Sequence, residues 1–299
     1  MATHDALPSK KHLPFGGARA INNHVIEEFI NFVTMSDFMT HVRMPTVIPR
    51  FLDRYRDWIA SSEFNEFKGF DSLPITCYSN GTTEVFDKWY LRHHARRLRI
   101  FRGEYMYHYA THRNLKLDMK WLEDGPLEHH DHVIISMPFA DSGGVHYETK
   151  SILDTAAVMG VPVLIDAAYI GLTQGIKFDF SHPAIDTVAF SLSKTFPVAH
   201  ARIGMRISRT DVDDGLDIYR KTQYENRWGA ALGNLLLTNY GIDYNIKTYS
   251  HWQKFACQDM GLEASPTVLF GLGGDAWKDY NRGGLFNRLF LGGLYEKQV

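Results

Sequence analysis

Lys194 and Asp166 each stand at the end of an apolar run, and Arg202 follows eight residues after the lysine. A lysine at a strand end, desolvated in a ligand crevice and held near other cations, has a lowered pKa and an amine free to act as a nucleophile. In solvent the same residue is an ordinary strand-end lysine. Asp166 closes the run Val161–Ile165, and a carboxylate so placed is costly unless it is paired. A helix N-terminus, a structural arginine or the cationic ring nitrogen of a bound cofactor would each satisfy it. Ser79-Asn80-Gly81-Thr82-Thr83-Glu84 follows a third apolar run and opens a helical pattern through Trp89 and Leu91. Backbone N–H groups, hydroxyls and the positive helix end make this either an anion site or a plain capped helix start.

These residues need a scaffold. Strand-like runs at Ile75–Tyr78, Leu98–Phe101, Val133–Met137, Val161–Ile165, Thr187–Ser191 and Ile203–Ile207 alternate with helical segments. Parallel neighbours need crossover connections, so the alternation predicts an α/β fold with a mostly parallel sheet flanked by helices. Ligands of such sheets collect at the carboxyl ends of the strands, where Lys194 and Asp166 fall. Before the sheet, the apolar spacing from Asn23 to Ser61 predicts two helices with a break near Met44-Pro45. The first twenty or so residues read as an extended arm. After Ser208 the pattern turns helical over Val212–Arg220 and from Tyr224 to about Asp259, and strand-like pieces return at Thr267–Leu272 and Leu285–Leu291. The expected division is an N-terminal arm and helices (1–61), a large unit (62–223) and a smaller α+β terminal unit (224–299).

The chain has 299 residues, 44% of them hydrophobic, enough for a full core, and its formal net charge of −2 favours neither nucleic acid nor an anionic membrane. Its two cysteines, Cys77 and Cys257, stand far apart and suggest no disulfide framework or zinc cluster. The N-terminus carries charge and proline in place of an unbroken apolar core. A cytoplasmic protein is expected. The clusters His93-His94 and His129-His130-Asp131-His132 read as solvated surface histidines, and no metal is expected.

Three motifs in order carry a resemblance. Asp166-Ala167-Ala168-Tyr169-Ile170-Gly171, Ser191-Leu192-Ser193-Lys194 and Arg202-Ile203-Gly204 resemble the fold type I PLP-dependent enzymes, above all the class I and II aminotransferases, from about Tyr78 to Ser208. The resemblance implies pyridoxal 5'-phosphate (PLP) held by Lys194 as a Schiff base, with Lys194 later moving the substrate Cα proton. It places Asp166 at the pyridinium nitrogen and Tyr169 at the ring's phenolic oxygen. Thr82, Thr83, Ser191 and Arg202 would bind the phosphate. Gly103-Glu104-Tyr105 is similar to the family's aromatic segment and puts Tyr105 on the ring face. Asn287-Arg288-Leu289-Phe290-Leu291 is similar to the strand whose arginine grips the substrate α-carboxylate, with Arg282 as a possible substitute for Arg288.

Two departures stand out. Asp141-Ser142-Gly143-Gly144 occupies the place of the family's Asn-Pro-Thr-Gly, so Asp141 replaces an asparagine near the phenolic oxygen, and the terminal unit is short. The expected activity is transamination of an α-amino acid with a keto acid partner, in a homodimer. Alternatives are a lyase or cyclase on the same scaffold (β- or γ-elimination or ring closure), or a catalytically silent PLP-fold binding protein.

Overall fold

Strand and helix alternate as the sequence predicts, and the computed structural model describes residues 18–295. Seven strands form the central sheet: β1 (Ile75–Ser79), β2 (Arg97–Ile100), β3 (Met119–Trp121), β4 (Asp131–Ser136), β5 (Val163–Asp166), β6 (Ile185–Ser191) and β7 (Gly204–Ser208). Their spatial order is β1-β7-β6-β5-β4-β2-β3. The pairings from β6 through β5, β4 and β2 to β3 are parallel, while β7 runs antiparallel to both its neighbours. The fold is therefore α/β with a mostly parallel sheet.

The interior strands β4 and β5 are buried along their whole length, as expected where helices cover both faces. The edge strand β3 was not predicted. Met119-Lys120-Trp121 is only half-buried and has neither the length nor the apolar content of the other runs.

Register sets the site. Ser136 of β4 lies opposite Asp166 of β5, and Asp166 lies opposite Ala189 of β6. Gly204, the first residue of the reversed strand β7, pairs with Ser191 on one side and Ser79 on the other. One edge of the sheet thus collects the carboxyl ends of β1, β4, β5 and β6 together with the entry to β7.

Three helices precede the sheet rather than the two expected: α1 (His24–Phe32), α2 (Met35–Arg43) and α3 (Val47–Ala60). The additional break follows from Thr34, whose side chain accepts from the Asp37 N–H at 3.1 Å and caps α2. Four further helices, α4 (Thr82–Arg92), α5 (Met106–Leu115), α6 (Thr149–Met159) and α7 (Gly215–Thr222), accompany the strands. The helical stretch after Tyr224 divides into α8 (Arg227–Asn239) and α9 (Tyr244–Met260).

Helix α3 packs on α8, and Phe51, Tyr55 and Trp58 share one core with Phe190, Phe196, Ala230 and Leu236. A second core gathers Ile21, Tyr249, Phe270 and Leu289 beneath a small antiparallel sheet of β8 (Glu263–Ala264), β9 (Phe270–Gly273) and β10 (Asn287–Phe290). The residues read as an arm fall mostly at 1–17, outside the described residues. No helix among the described residues is long and apolar enough to cross a membrane.

Two of the histidine readings are corrected. His93 and His132 are buried rather than solvated, at 8% and 1% exposure. Trp89 donates to His132 Nδ1 at 2.8 Å, and the two imidazoles stack at 5.3 Å. Asp131 and His132 belong to β4 rather than to a loop, because Asp131 is paired with Arg97 and Arg99, each at 2.8 Å. His94, His129 and His130 are exposed. Among the described residues no group of three His, Cys, Asp or Glu is placed to hold a metal ion.

Candidate active site

A cavity of about 190 Å³ opens at the carboxyl edge of the sheet. Of the residues singled out in the sequence it is lined by Thr82, Thr83, Tyr105, Asp166, Tyr169, Ser191, Lys194, Arg202, Arg282 and Arg288. Segments more than two hundred residues apart therefore meet around one space.

At one end lies the start of α4. Its N-cap, Gly81, has φ +82° and makes no side-chain capping bond, so the amides of the first turn stay available to a ligand. A Cβ built on Gly81 would come 2.5 Å from Arg202 Nη2, so both the backbone angle and the space call for glycine. Arg202 donates to Thr83 Oγ1 at 3.0 Å and to the Ala199 carbonyl at 3.1 Å. Arg202 itself sits at φ +53°, a conformation that a non-glycine side chain holds only when its surroundings enforce it. The Tyr78 hydroxyl supplies part of that enforcement by donating to the Arg202 carbonyl at 2.9 Å. Ser191 Oγ bonds to Ser193 Oγ at 2.8 Å, and the buried Ser79 hydroxyl has no partner. Amides, hydroxyls and a guanidinium fixed by the backbone form a donor set suited to a phosphate.

At the centre stand Asp166 and Lys194. Asp166 is 5% exposed; burial pushes its carboxyl up to about 7, against the Ala168 N–H at 3.1 Å and the positive charge of Lys194. Burial pulls Lys194 down to about 8, opposed by Asp166 and reinforced by Arg288 and Arg202. Its Nζ donates to the Ala18 carbonyl. A buried acid with one amide bond and a desolvated lysine facing it suit a cationic ring nitrogen and an aldehyde carbon.

At the far end, Arg288 is 6% exposed and lies over the Phe270 ring, its guanidinium carbon 4.2 Å from the centroid. Burial raises the Tyr169 phenol, against the charge of Arg288 and a hydrogen bond from it. Tyr105 lines the wall, 37% exposed, with its ring parallel to Tyr107 at 5.9 Å.

Asp141 is not brought together with these residues. It is fully buried, its carboxylate accepts from the Phe286 N–H at 3.0 Å, and it does not line the cavity. Burial raises its pKa, and the Phe286 N–H together with Arg288 opposes the shift. The residue read as a replacement near the phenolic oxygen is thus turned toward the strand that carries Arg288.

Sequence reasoning passed over several residues that line the same cavity, among them Ala18, Arg19, Ser136 and Glu104. Ala18 and Arg19 belong to a segment without periodicity. Ser136 was hidden inside an apolar strand. Glu104 was named only as a neighbour of Tyr105. Its carboxylate accepts from the Ser136 N–H at 2.8 Å, and burial lifts it to about 8, against those Ser136 bonds and with Asp166 adding to the rise.

A profile of the family described as aminotransferase class I and II matches residues 68–233, more than half of the chain. The chain belongs to the class I and II aminotransferases. It is accordingly a PLP-dependent transferase by family, and the matched span contains the phosphate-type cradle, Asp166 and Lys194. No curated protein matches the sequence.

Solved structures share the fold at low identity. The histidinol-phosphate aminotransferase of Clostridium acetobutylicum is 15% identical, with 92% of this chain and 93% of that one covered and a TM-score of 0.61. MppP, soaked with the product 2-ketoarginine, is 13% identical, with 94% and 96% covered and a TM-score of 0.65. A PLP-bound C-S lyase of Staphylococcus hominis is 10% identical, with 99% and 90% covered and a TM-score of 0.63.

Proposed function

We propose that this family member transaminates an α-amino acid with a keto acid partner, as a homodimer in the cytoplasm, with Lys194 as the residue that holds PLP. The observation that carries the reading is a single cavity with the phosphate-type donor set at one end, the Asp166 and Lys194 pair at its centre and Arg288 at the other end. When bound, PLP supplies an electron sink for charge developing at the substrate Cα.

The chain's residues would divide the remaining work. Thr82, Thr83, Ser191 and Arg202 hold the phosphate. Asp166 would keep a proton on the ring nitrogen through the charge of its carboxylate, an attraction that works against the cost of burying both charges. Tyr169, steadied by Arg288, donates to the phenolic oxygen, and Tyr105 covers a ring face. Lys194 Nζ, with its proton affinity lowered by burial, takes and returns the proton at Cα near neutral pH. Arg288 offers a planar fork to the substrate α-carboxylate. Asp141 acts at one remove, holding the Phe286 backbone and so the strand of Arg288. The chain divides into an N-terminal arm and helices over 1–61, a large unit over 62–223 and a terminal unit over 224–299, with α8 of the last packed on α3 of the first.

The C-S lyase of the same fold makes elimination, or ring closure, the second reading. Holoenzyme incubated with amino acids, with and without an α-keto acid, separates them. Turnover that depends strictly on the keto acid supports transamination, and product release without an acceptor supports the lyase or cyclase. Holoenzyme that converts no amino acid under either condition would favour a silent binding protein.

A further inference from the structure

The proposed function gives Asp166 a task and leaves Glu104 without one, although both acids line the cavity. Glu104 follows β2 and is 7% exposed. Ser136 engages both of its oxygens: Oε1 accepts the Ser136 N–H at 2.8 Å and Oε2 accepts the Ser136 hydroxyl at 2.5 Å. That hydroxyl also accepts the Ala140 N–H at 2.8 Å, which leaves its own proton for Glu104. Ser136 lines the cavity too and lies opposite Asp166 in the register of β4 and β5, one strand spacing of about 4.8 Å away. Two buried acids are thus brought to adjacent places at the sheet edge.

Burial lifts the Glu104 carboxyl to about 8, the two Ser136 bonds oppose the rise, and the charge of Asp166 adds to it. A clasp on Ser136 alone requires only acceptors, part of which a neutral amide would supply. A carboxylate in that place adds a charge that burial penalises and that the neighbouring acid repels. A cation beside the pair would relieve both costs.

We propose that Glu104 is a positioning residue which, acting through Ser136, joins Asp166 in holding the proton of the cofactor's ring nitrogen. The inference rests on the reading that Asp166 meets that nitrogen. A protonated ring nitrogen draws Glu104 toward its ionised form near neutral pH, and the charge so formed in turn favours the proton on the ring. Other ionisable groups surround the pair. Tyr105 on the same segment, Tyr169 after β5, Lys194 after β6 and Arg202 before β7 border the cavity, and Tyr90 of α4 feels the charges of Asp166 and Tyr105. All of them remain in place when Glu104 alone is neutralised.

The visible absorbance of PLP bound to the holoenzyme, followed between about pH 5 and pH 10, tests this without turnover. The change of band with pH should occur about one pH unit lower in Glu104→Gln than in the wild type, the size of a single-charge effect in a partly dry site. Ser136→Ala removes a hydroxyl that favours the charged form of Glu104, and should move the change in the same direction by less. Identical profiles in the wild type and Glu104→Gln overturn the inference, because a merely structural clasp leaves them unchanged. If Glu104→Gln does not retain PLP, Glu104→Asp, which restores the charge, should retain it, and loss from both variants overturns the inference as well. Asp166→Asn should move the change further down than Glu104→Gln or release PLP, and a wild-type profile in that variant would overturn the reading of Asp166 instead.

Discussion

At the residue scale the account turns on two groups moved toward neutrality from opposite sides. Lys194 stands near 8 and Asp166 near 7 because both are buried, so the amine is partly uncharged at physiological pH. The lysine must be neutral to attack an aldehyde. The rate at which PLP loads onto the cofactor-free protein should therefore rise about tenfold per pH unit below 8 and level off above it, which stopped-flow absorbance will show. A flat profile between pH 6 and 9 would contradict the lowered lysine. Arg202 offers a second check. Its guanidinium is held by Thr83 and Ala199, and Arg202→Ala should weaken PLP binding by about ten- to a hundredfold, the range for losing one charged hydrogen-bonding group. Unchanged affinity in a dialysis titration would move the phosphate elsewhere.

At the scale of elements, α4, α5 and β4 enclose four histidines that burial keeps neutral. His93 is pulled down to about 4 and His108 to about 3, by burial first and then by nearby positive groups; His132 and His112 are lowered by the same burial. Each folded-state pKa lies below the unfolded value near 6.5. Above pH 6.5 neither state takes up these protons. As pH falls from there toward 4, the unfolded chain gains protons that the folded one refuses, and stability is lost. At His93 and His108 the loss is on the order of 1 kcal/mol each for each pH unit. Urea midpoints should drop between pH 7 and pH 5, and the drop should shrink in His132→Phe. Equal midpoints at the two pH values would show that these rings titrate freely.

The strands were legible because each buried strand is a short apolar run bounded by polar residues, and the site followed because Asp166, Lys194 and Arg202 fall at the ends of such runs. His93 and His132 were misread because a charged neighbourhood in sequence says nothing about which face of α4 meets β4. Glu104, Ser136 and Ala18 were missed because they matter only through register and through a chain return that has no local pattern. Asp141 was placed by its position in a motif, yet its direction is set by the Phe286 amide, which is far from it in sequence.

Across the whole molecule, the N-terminal helices are tied to the Arg202 end of the cavity by one line of packed rings. Phe51 of α3 is fully buried and stands 5.5 Å from the Tyr78 ring, whose hydroxyl holds the Arg202 carbonyl at 2.9 Å. A Cβ on Gly233 of α8 would come 2.4 Å from Phe51, so the helix layers meet without spare room. Phe51→Ala should cost about 3–5 kcal/mol in denaturant unfolding, and the loosened Tyr78 should also weaken PLP binding. A stable variant that unfolds at the wild-type midpoint would show that this layer is dispensable. The proposed homodimer belongs to this scale too. Sedimentation at micromolar concentration should give twice the chain mass, and a single-chain mass with full activity would remove the partner from the account.

The most direct test of the whole account is the covalent role of Lys194. Purified wild-type protein should keep a visible PLP absorbance through gel filtration, and borohydride should fix the cofactor to the peptide that contains Lys194. Lys194→Ala should lose that absorbance while remaining folded by circular dichroism. A variant that retains the band, or a labelled peptide from elsewhere in the chain, would contradict the assignment.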